Sequence, residues 1–221
     1  MSPPTYHLRI ALRDTKPPIW RRVAVPSNIT LGQLHEVIQI AMGWSNSHLH
    51  QFMLQDKSLI NRDPDVIARL TEEGRYDEIF TATRGIRVFV PGNDPFGDEL
   101  DMEGEDEDAV TLAEVCPKVK SKLTYEYDFG DGWEHTVEVQ KIVEPKSDSA
   151  PPVCLTGKKA CPPEDCGGVF GYYHMLEVAA DPEHEDHDAV VEWLGEDFDA
   201  DAFDIDEAND MLRDWWQSGS H

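Results

Sequence analysis

The sequence predicts an α+β fold: an antiparallel or mixed sheet built from hairpins, helices packed on it, and a helical C-terminal segment. Three stretches carry that prediction. YHLRIALR sets Tyr6, Leu8, Ile10 and Leu12 against His7, Arg9, Ala11 and Arg13, the period-two pattern of a half-buried strand. Residues 30–43 hold a capped helical pattern, and YEYDFGDGWEHTVEV (125–139) reads as a second hairpin. The 221 residues suffice for a sizeable core and are read as one α+β domain over 1–221, near-neutral in 1–93 and acidic in 94–221.

DTKPP makes a turn, and IWRRVAVP returns as the second strand of the first hairpin. Thr30 then opens a helix. T-L-G-Q forms a capping box, Leu31, Leu34, Val37, Ile38, Ala41 and Met42 follow at helical spacing, and Gly43 ends it. HLHQFMLQ is a strand, DPDVIARLTEEG a short helix, YDEIF a short strand and IRVFV a further strand. Asp94 to Asp108 holds nine acidic and no basic residues and reads as a solvated loop. TLAEVCP is a short helix, and 144–168 reads as irregular. GYYHMLEVAADP, HEDHDAVVEWLG and DEANDMLRDWW give the C-terminal helices.

In the second hairpin a three-residue loop, Gly130-Asp131-Gly132, pairs Phe129 with Trp133, Tyr127 with His135 and Tyr125 with Val137, so that apolar faces match. His135 then sits on the apolar face as a buried histidine bonded to a tyrosine or a backbone group. Glu126, Asp128, Glu134 and Glu138 share the other face, with Arg9, Arg13, Arg21 and Arg22 of the first hairpin as expected counter-charges. Asp128, Asp131, Trp133 and His135 are the candidate binding residues.

Charge narrows the function classes. Residues 1–93 hold 11 Lys/Arg and 9 Asp/Glu, a net of +2; residues 94–221 hold 8 and 35, a net of −27. Such a field repels phosphate backbones and makes direct nucleic-acid binding an unfavourable reading. No apolar run approaches the roughly 20 residues of a membrane span, and no signal-peptide core is present, so a cytoplasmic protein with no membrane partner is expected. Cys154, Cys161 and Cys166 are spaced C-x6-C-x4-C and would need a fourth ligand such as His174 to hold zinc; buried thiols are the expected state. His48 with His50, and His184 with His187, are further pairs that can chelate. Glu164 and Asp165 precede a helix that begins in the glycines of PPEDCGG. No nucleophile–base–orienter set is evident, so no catalytic residue, metal or cofactor is assigned.

YEYDFGDGWEHTVEV, CLTGKKACPPEDCGGVFGYYHML, PPIWRRVAVPSNITLGQLHEVIQIAMGW, SNSHLHQF and WLGEDFDADAFDIDEAN together resemble the plasmid pRiA ORF-three-like family, whose members are also labelled insertion-element passengers of a TnpR type. The resemblance covers nearly the whole chain. It implies a compact α+β fold and supplies no catalytic residues. The resolvase that the TnpR label suggests would need a nucleophilic Ser among arginines and a basic tail, whereas this tail is the most acidic part. The expected function is a non-catalytic protein-binding or adaptor module acting on a protein partner. The alternatives are a metal-dependent hydrolase and a nucleic-acid accessory protein that uses the basic first hairpin.

Overall fold

The computed structural model describes residues 2–92, 104–144, 151–195 and 197–219. Strands β1 (Thr5–Leu12) and β2 (Trp20–Pro26) form the first hairpin, with Arg9 opposite Arg22. Helix α1 (Leu31–Met42) follows, and β3 (His50–Gln55), α2 (Pro64–Glu72), α3 (Tyr76–Arg84) and β4 (Ile86–Val90) complete the N-terminal half. After them come β5 (Glu105–Asp106), α4 (Leu112–Val115), β6 (Lys122–Tyr127), β7 (Trp133–Val143) and β8 (Val153–Lys158). Helices α5 (Gly168–Ala179), α6 (His187–Leu194) and α7 (Ile205–Ser218) end the chain. One eight-stranded sheet results, in the order β5-β4-β3-β6-β7-β1-β2-β8, antiparallel except for the β4–β5 pair. Strands from the near-neutral and acidic halves interleave in it.

The alternation reads out on one face. Leu8, Ile10, Val23, Val25, Phe52, Phe89, Leu123, Tyr125, Tyr127, Trp133, Val137 and Val139 are buried there against Leu31, Leu34, Val37 and Ile38 of α1. Helix α1 begins where its capping box predicts: Thr30 accepts from the Gln33 N–H, Gln33 reaches back to Thr30 N–H, and Gly43 closes the helix at φ +102°. Among the described residues no helix is long and apolar enough to cross a membrane.

Four sequence expectations are corrected. YDEIF is the start of α3, because Asp77 and Glu78 sit in the first turn and Gly85 caps the end in the left-handed region, with Phe80 on the sheet side. The stretch read as irregular contains β8, which pairs with β2 as an edge strand and turns Cys154 inward. Of the acidic run, residues 94–103 lie outside the described residues, while Glu105 and Asp106 form β5 and Glu107 is buried.

The second hairpin is corrected in register. Tyr127 pairs with Trp133, Tyr125 with His135 and Glu126 with Glu134, leaving a five-residue tip, Asp128 to Gly132. Asp128 takes a left-handed backbone at φ +57°. Its carboxylate accepts from the Gly130 and Asp131 N–H groups, and its carbonyl accepts from Gly132 N–H. The tip thus satisfies its own polar groups, and the left-handed residue ends the alternation. Phe129 leaves the core face and is 42% exposed.

The expected pairing of acidic hairpin and arginines holds at particular positions. Arg13 pairs with Glu134; Arg9 lies opposite Glu138 across β1 and β7, but the Glu138 carboxylate pairs with Lys122 and Glu126 is bonded by Gln51. Arg22 instead bonds Gln140. Arg21 points inward: it is buried, donates to the carbonyls of Ala41, Trp20 and Lys158, and lies 3.7 Å over the Phe203 ring.

Candidate functional site at the hairpin tip

Three separate segments meet at the β6–β7 tip: the loop after α1 (43–49), the tip itself (128–132) and the loop before α5 (160–168). The Trp44 indole donates to Pro162 O at 2.9 Å, and its ring packs on Tyr127 and edge-on against His135. Tyr127 O–H donates to Glu164, which also accepts from Ser45 and Ser47. Burial alone would raise the Glu164 carboxyl, but these donors outweigh it and hold the group below its ordinary value. The same carboxylate pushes the Tyr127 phenol, already raised by burial, further upward. Asp131 accepts from Gly167 N–H at 3.1 Å, and a Cβ at Gly168 would stand 2.3 Å from the Asp131 carbonyl oxygen, so glycine there is a condition of the contact.

A buried polar chain supports the first loop. Gln39 Nε2 donates to Tyr125 Oη at 2.8 Å, and the Tyr125 hydroxyl donates to His35 Nδ1 at 2.8 Å. His35 Nε2–H then donates to Asn46 Oδ1 at 2.7 Å. Asn46 N–H returns to Gln39 Oε1, which sets Gln39 Nε2 as the donor to Tyr125, and Asn46 Nδ2 donates to Glu36, which turns Oδ1 toward His35; the directions at the ring are those of a neutral His35. Burial, with His50 close by, pushes His35 down to about 3. The His50 ring stacks on it at 3.4 Å, and His50 Nε2 lies 3.0 Å from Glu107. Burial moves Glu107 up to about 8 and His50 down to about 4, so the uncharged pair, with Glu107 donating to His50, is the form the core favours.

The four candidate binding residues take different places. Trp133 and His135 are fully buried and Asp128 is buried, so these three position the tip rather than line its outer surface; half-buried Asp131 accepts from Gly167 N–H just before α5. His135 Nδ1 donates to Trp133 O at 3.0 Å, Nε2 has no partner in the core among the described residues, and burial holds the ring down at about 3. The backbone partner for His135 agrees with the sequence reading, although its ring neighbour across the strands is Tyr125.

The side chain that faces outward is Phe129, which the pairing with Trp133 had hidden. With Tyr76 and Phe80 of α3 it walls a groove of about 550 Å³ on the open side of the sheet, floored by Met53, Ile86 and Val88. His48 is directed to the tip and His50 to the core, so they do not form a chelating pair. The cysteines are free: Cys116, Cys154 and Cys166 are buried and Cys161 is partly so. Sequence reasoning missed Glu164 as an anchor of Tyr127 and Glu107 as the partner of His50. Both are carboxylates whose partners lie far along the chain.

The profile of the family described as "Plasmid pRiA4b ORF-3-like protein" matches residues 4–207. The chain is 34% identical over 209 residues to "Uncharacterized protein y4hQ" of Sinorhizobium fredii, covering 94% of this chain and 90% of that one. The crystal structure of a protein of unknown function, MM3350 from Methanosarcina mazei Go1, superposes with a TM-score of 0.73 at 33% identity, over 94% of this chain and 98% of that one.

Proposed function

The chain belongs to the plasmid pRiA4b ORF-3-like family, and on that premise we propose that it acts as a non-catalytic protein-binding module. The groove between α3 and the open sheet face carries this reading. Its lining mixes apolar side chains, Met53, Ile86, Val88, Phe80, Tyr76 and Phe129, with the polar Gln51 and Thr81, and its volume of about 550 Å³ lies in the range of ligand clefts. Asp77, Glu78 and Glu126 stand at its rim, and the rim arginine, Arg75, is already engaged by Glu73 and Glu78. The occupant that fits is a segment of a partner protein with apolar anchors and basic flanks. The chain's net charge of −25 favours the same partner. The basic first hairpin offers less to nucleic acid, since Arg21 is buried and Arg13 is paired with Glu134.

The test is peptide-library selection against the folded protein, followed by direct binding of the enriched sequences. Enriched peptides combine aromatic or aliphatic anchors with Lys/Arg, bind more weakly at high salt, and lose at least about tenfold in affinity to Phe129→Asp or Val88→Glu. Phe129→Asp keeps the fold, because the side chain it replaces is exposed. A selection without enrichment, or peptides that bind both variants as tightly as wild type, refutes the groove.

A further inference from the structure

The three tip segments also bring together a set of ligand atoms that no single stretch of sequence contains. His48 comes from the loop after α1, Asp128 from the start of the hairpin tip and Asp165 from the loop before α5. Among the described residues they are the one group of three His, Cys, Asp or Glu side chains placed to share an ion, with ligand atoms all within 4.8 Å of one another. His48 Nε2 lies 3.3 Å from Asp165 Oδ1 and 3.9 Å from Asp128 Oδ2. A cation with bonds of about 2.1 Å holds neighbouring ligand atoms roughly 3.0–3.4 Å apart and opposite ones roughly 4.2 Å apart, so a small inward movement closes this set on an ion.

The state of Asp128 is an independent observation. Its side chain is 9% exposed, and Oδ1 takes the Gly130 and Asp131 N–H groups. Among the described residues Oδ2 receives no hydrogen bond and is directed at His48 and Asp165. With the Asp128 side chain largely withdrawn from water and this oxygen lacking a protein donor among the described residues, a cation beside it is favourable. The scaffold holds the ligands in place. Asp128 N–H is bonded to Leu49 O, Asn46 anchors the His48 loop to α1, and the Asp131–Gly167 bond ties the tip to the Asp165 loop.

We infer that His48, Asp128 and Asp165 bind one divalent first-row transition cation, of the zinc or manganese kind. One imidazole and two carboxylates suit such ions, whereas calcium takes six or more oxygens. Asp165 is 74% exposed, so the outer coordination positions face solvent and take water. The sequence expectation of no metal rested on the irregular cysteine spacing and the scattered histidines, and neither describes this site, whose ligands come from three separate segments.

The test titrates chelator-treated protein with Zn(II) and with Mn(II), reading stoichiometry by elemental analysis after dialysis and affinity by calorimetry. One ion per chain is expected. His48→Gln and Asp165→Asn each weaken binding by about tenfold or more, and Cys161→Ser leaves it unchanged. Both ligand variants lie at partly exposed or exposed positions and keep the fold, which circular dichroism checks, so the result does not depend on buried Asp128. Absence of saturable binding overturns the inference. So does binding that survives both ligand variants, or that is lost with Cys161→Ser.

Discussion

Replacing Tyr125 with Phe removes one oxygen from the buried chain that joins α1, β6 and the loop after α1. That oxygen accepts from Gln39 Nε2 and donates to His35 Nδ1, both at 2.8 Å. Gln39 is 1% exposed and His35 3%, so neither group can turn to water when the hydroxyl goes. Each stranded buried group costs about 1–3 kcal/mol, and removing the hydroxyl's own desolvation returns part of that, so the net loss is about 2–4 kcal/mol. The packing of the ring is unchanged, which confines the effect to hydrogen bonding. Urea unfolding reads it as a fall in midpoint with an unchanged slope. Tyr173→Phe is the comparison, since its hydroxyl takes a single bond from Lys16 N–H at an exposed site, and it costs about 1 kcal/mol or less. The Tyr125→Phe change also loosens His35, hence Asn46, so amide exchange at 45–48 speeds up. A loss at Tyr125 below about 1 kcal/mol, or one equal to that at Tyr173, refutes the polar chain as a structural element.

Acid should destabilise the protein well before its carboxylates titrate. His35 and His135 are held at about 3 in the fold against about 6.5 unfolded, so the unfolded chain takes up protons first as pH falls below about 6.5. The loss is about 2 kcal/mol per ring between pH 7 and pH 5. His50 acts in the same sense, while Glu107, raised to about 8, gains stability over that interval, so this pair largely cancels. Urea midpoints that stay flat or rise between pH 7 and pH 5 contradict the neutral histidine core. Two glycines should separate steric from conformational demand. A Cβ at Gly171 would lie 1.9 Å from the Cys166 carbonyl oxygen, so Gly171→Ala costs on the order of 3 kcal/mol or more and weakens the α5 junction. Gly43→Ala meets nothing within 4 Å among the described residues and costs about 1–2 kcal/mol for its left-handed backbone alone. Equal thermal shifts for the two variants would show that the close approach at Gly171 is not a structural requirement.

Faces and caps were legible in the sequence by itself. Tyr6, Leu8, Ile10 and Leu12 alternate because successive strand side chains point to opposite sides, and Thr30, Gln33 and Gly43 bound α1 because capping is satisfied within four residues. The family resemblance was legible too, since whole motifs carry it. Register was not. Sliding the second hairpin by two residues keeps every face, so face matching cannot tell Phe129–Trp133 from Tyr127–Trp133; the self-bonded tip of Asp128 decides it. Nor did the acidic run distinguish Glu107, whose burial depends on His50 being 57 residues away in the chain. Tertiary structure alone decided the site. Strand order brings β3 beside β6 and the α5 loop beneath their ends, so Ser47, Tyr127 and Glu164, or His48, Asp128 and Asp165, become neighbours across gaps that no local propensity spans. Local pattern reflects the few residues that share a turn or a pleat, whereas a binding site depends on which distant segments the sheet sets side by side.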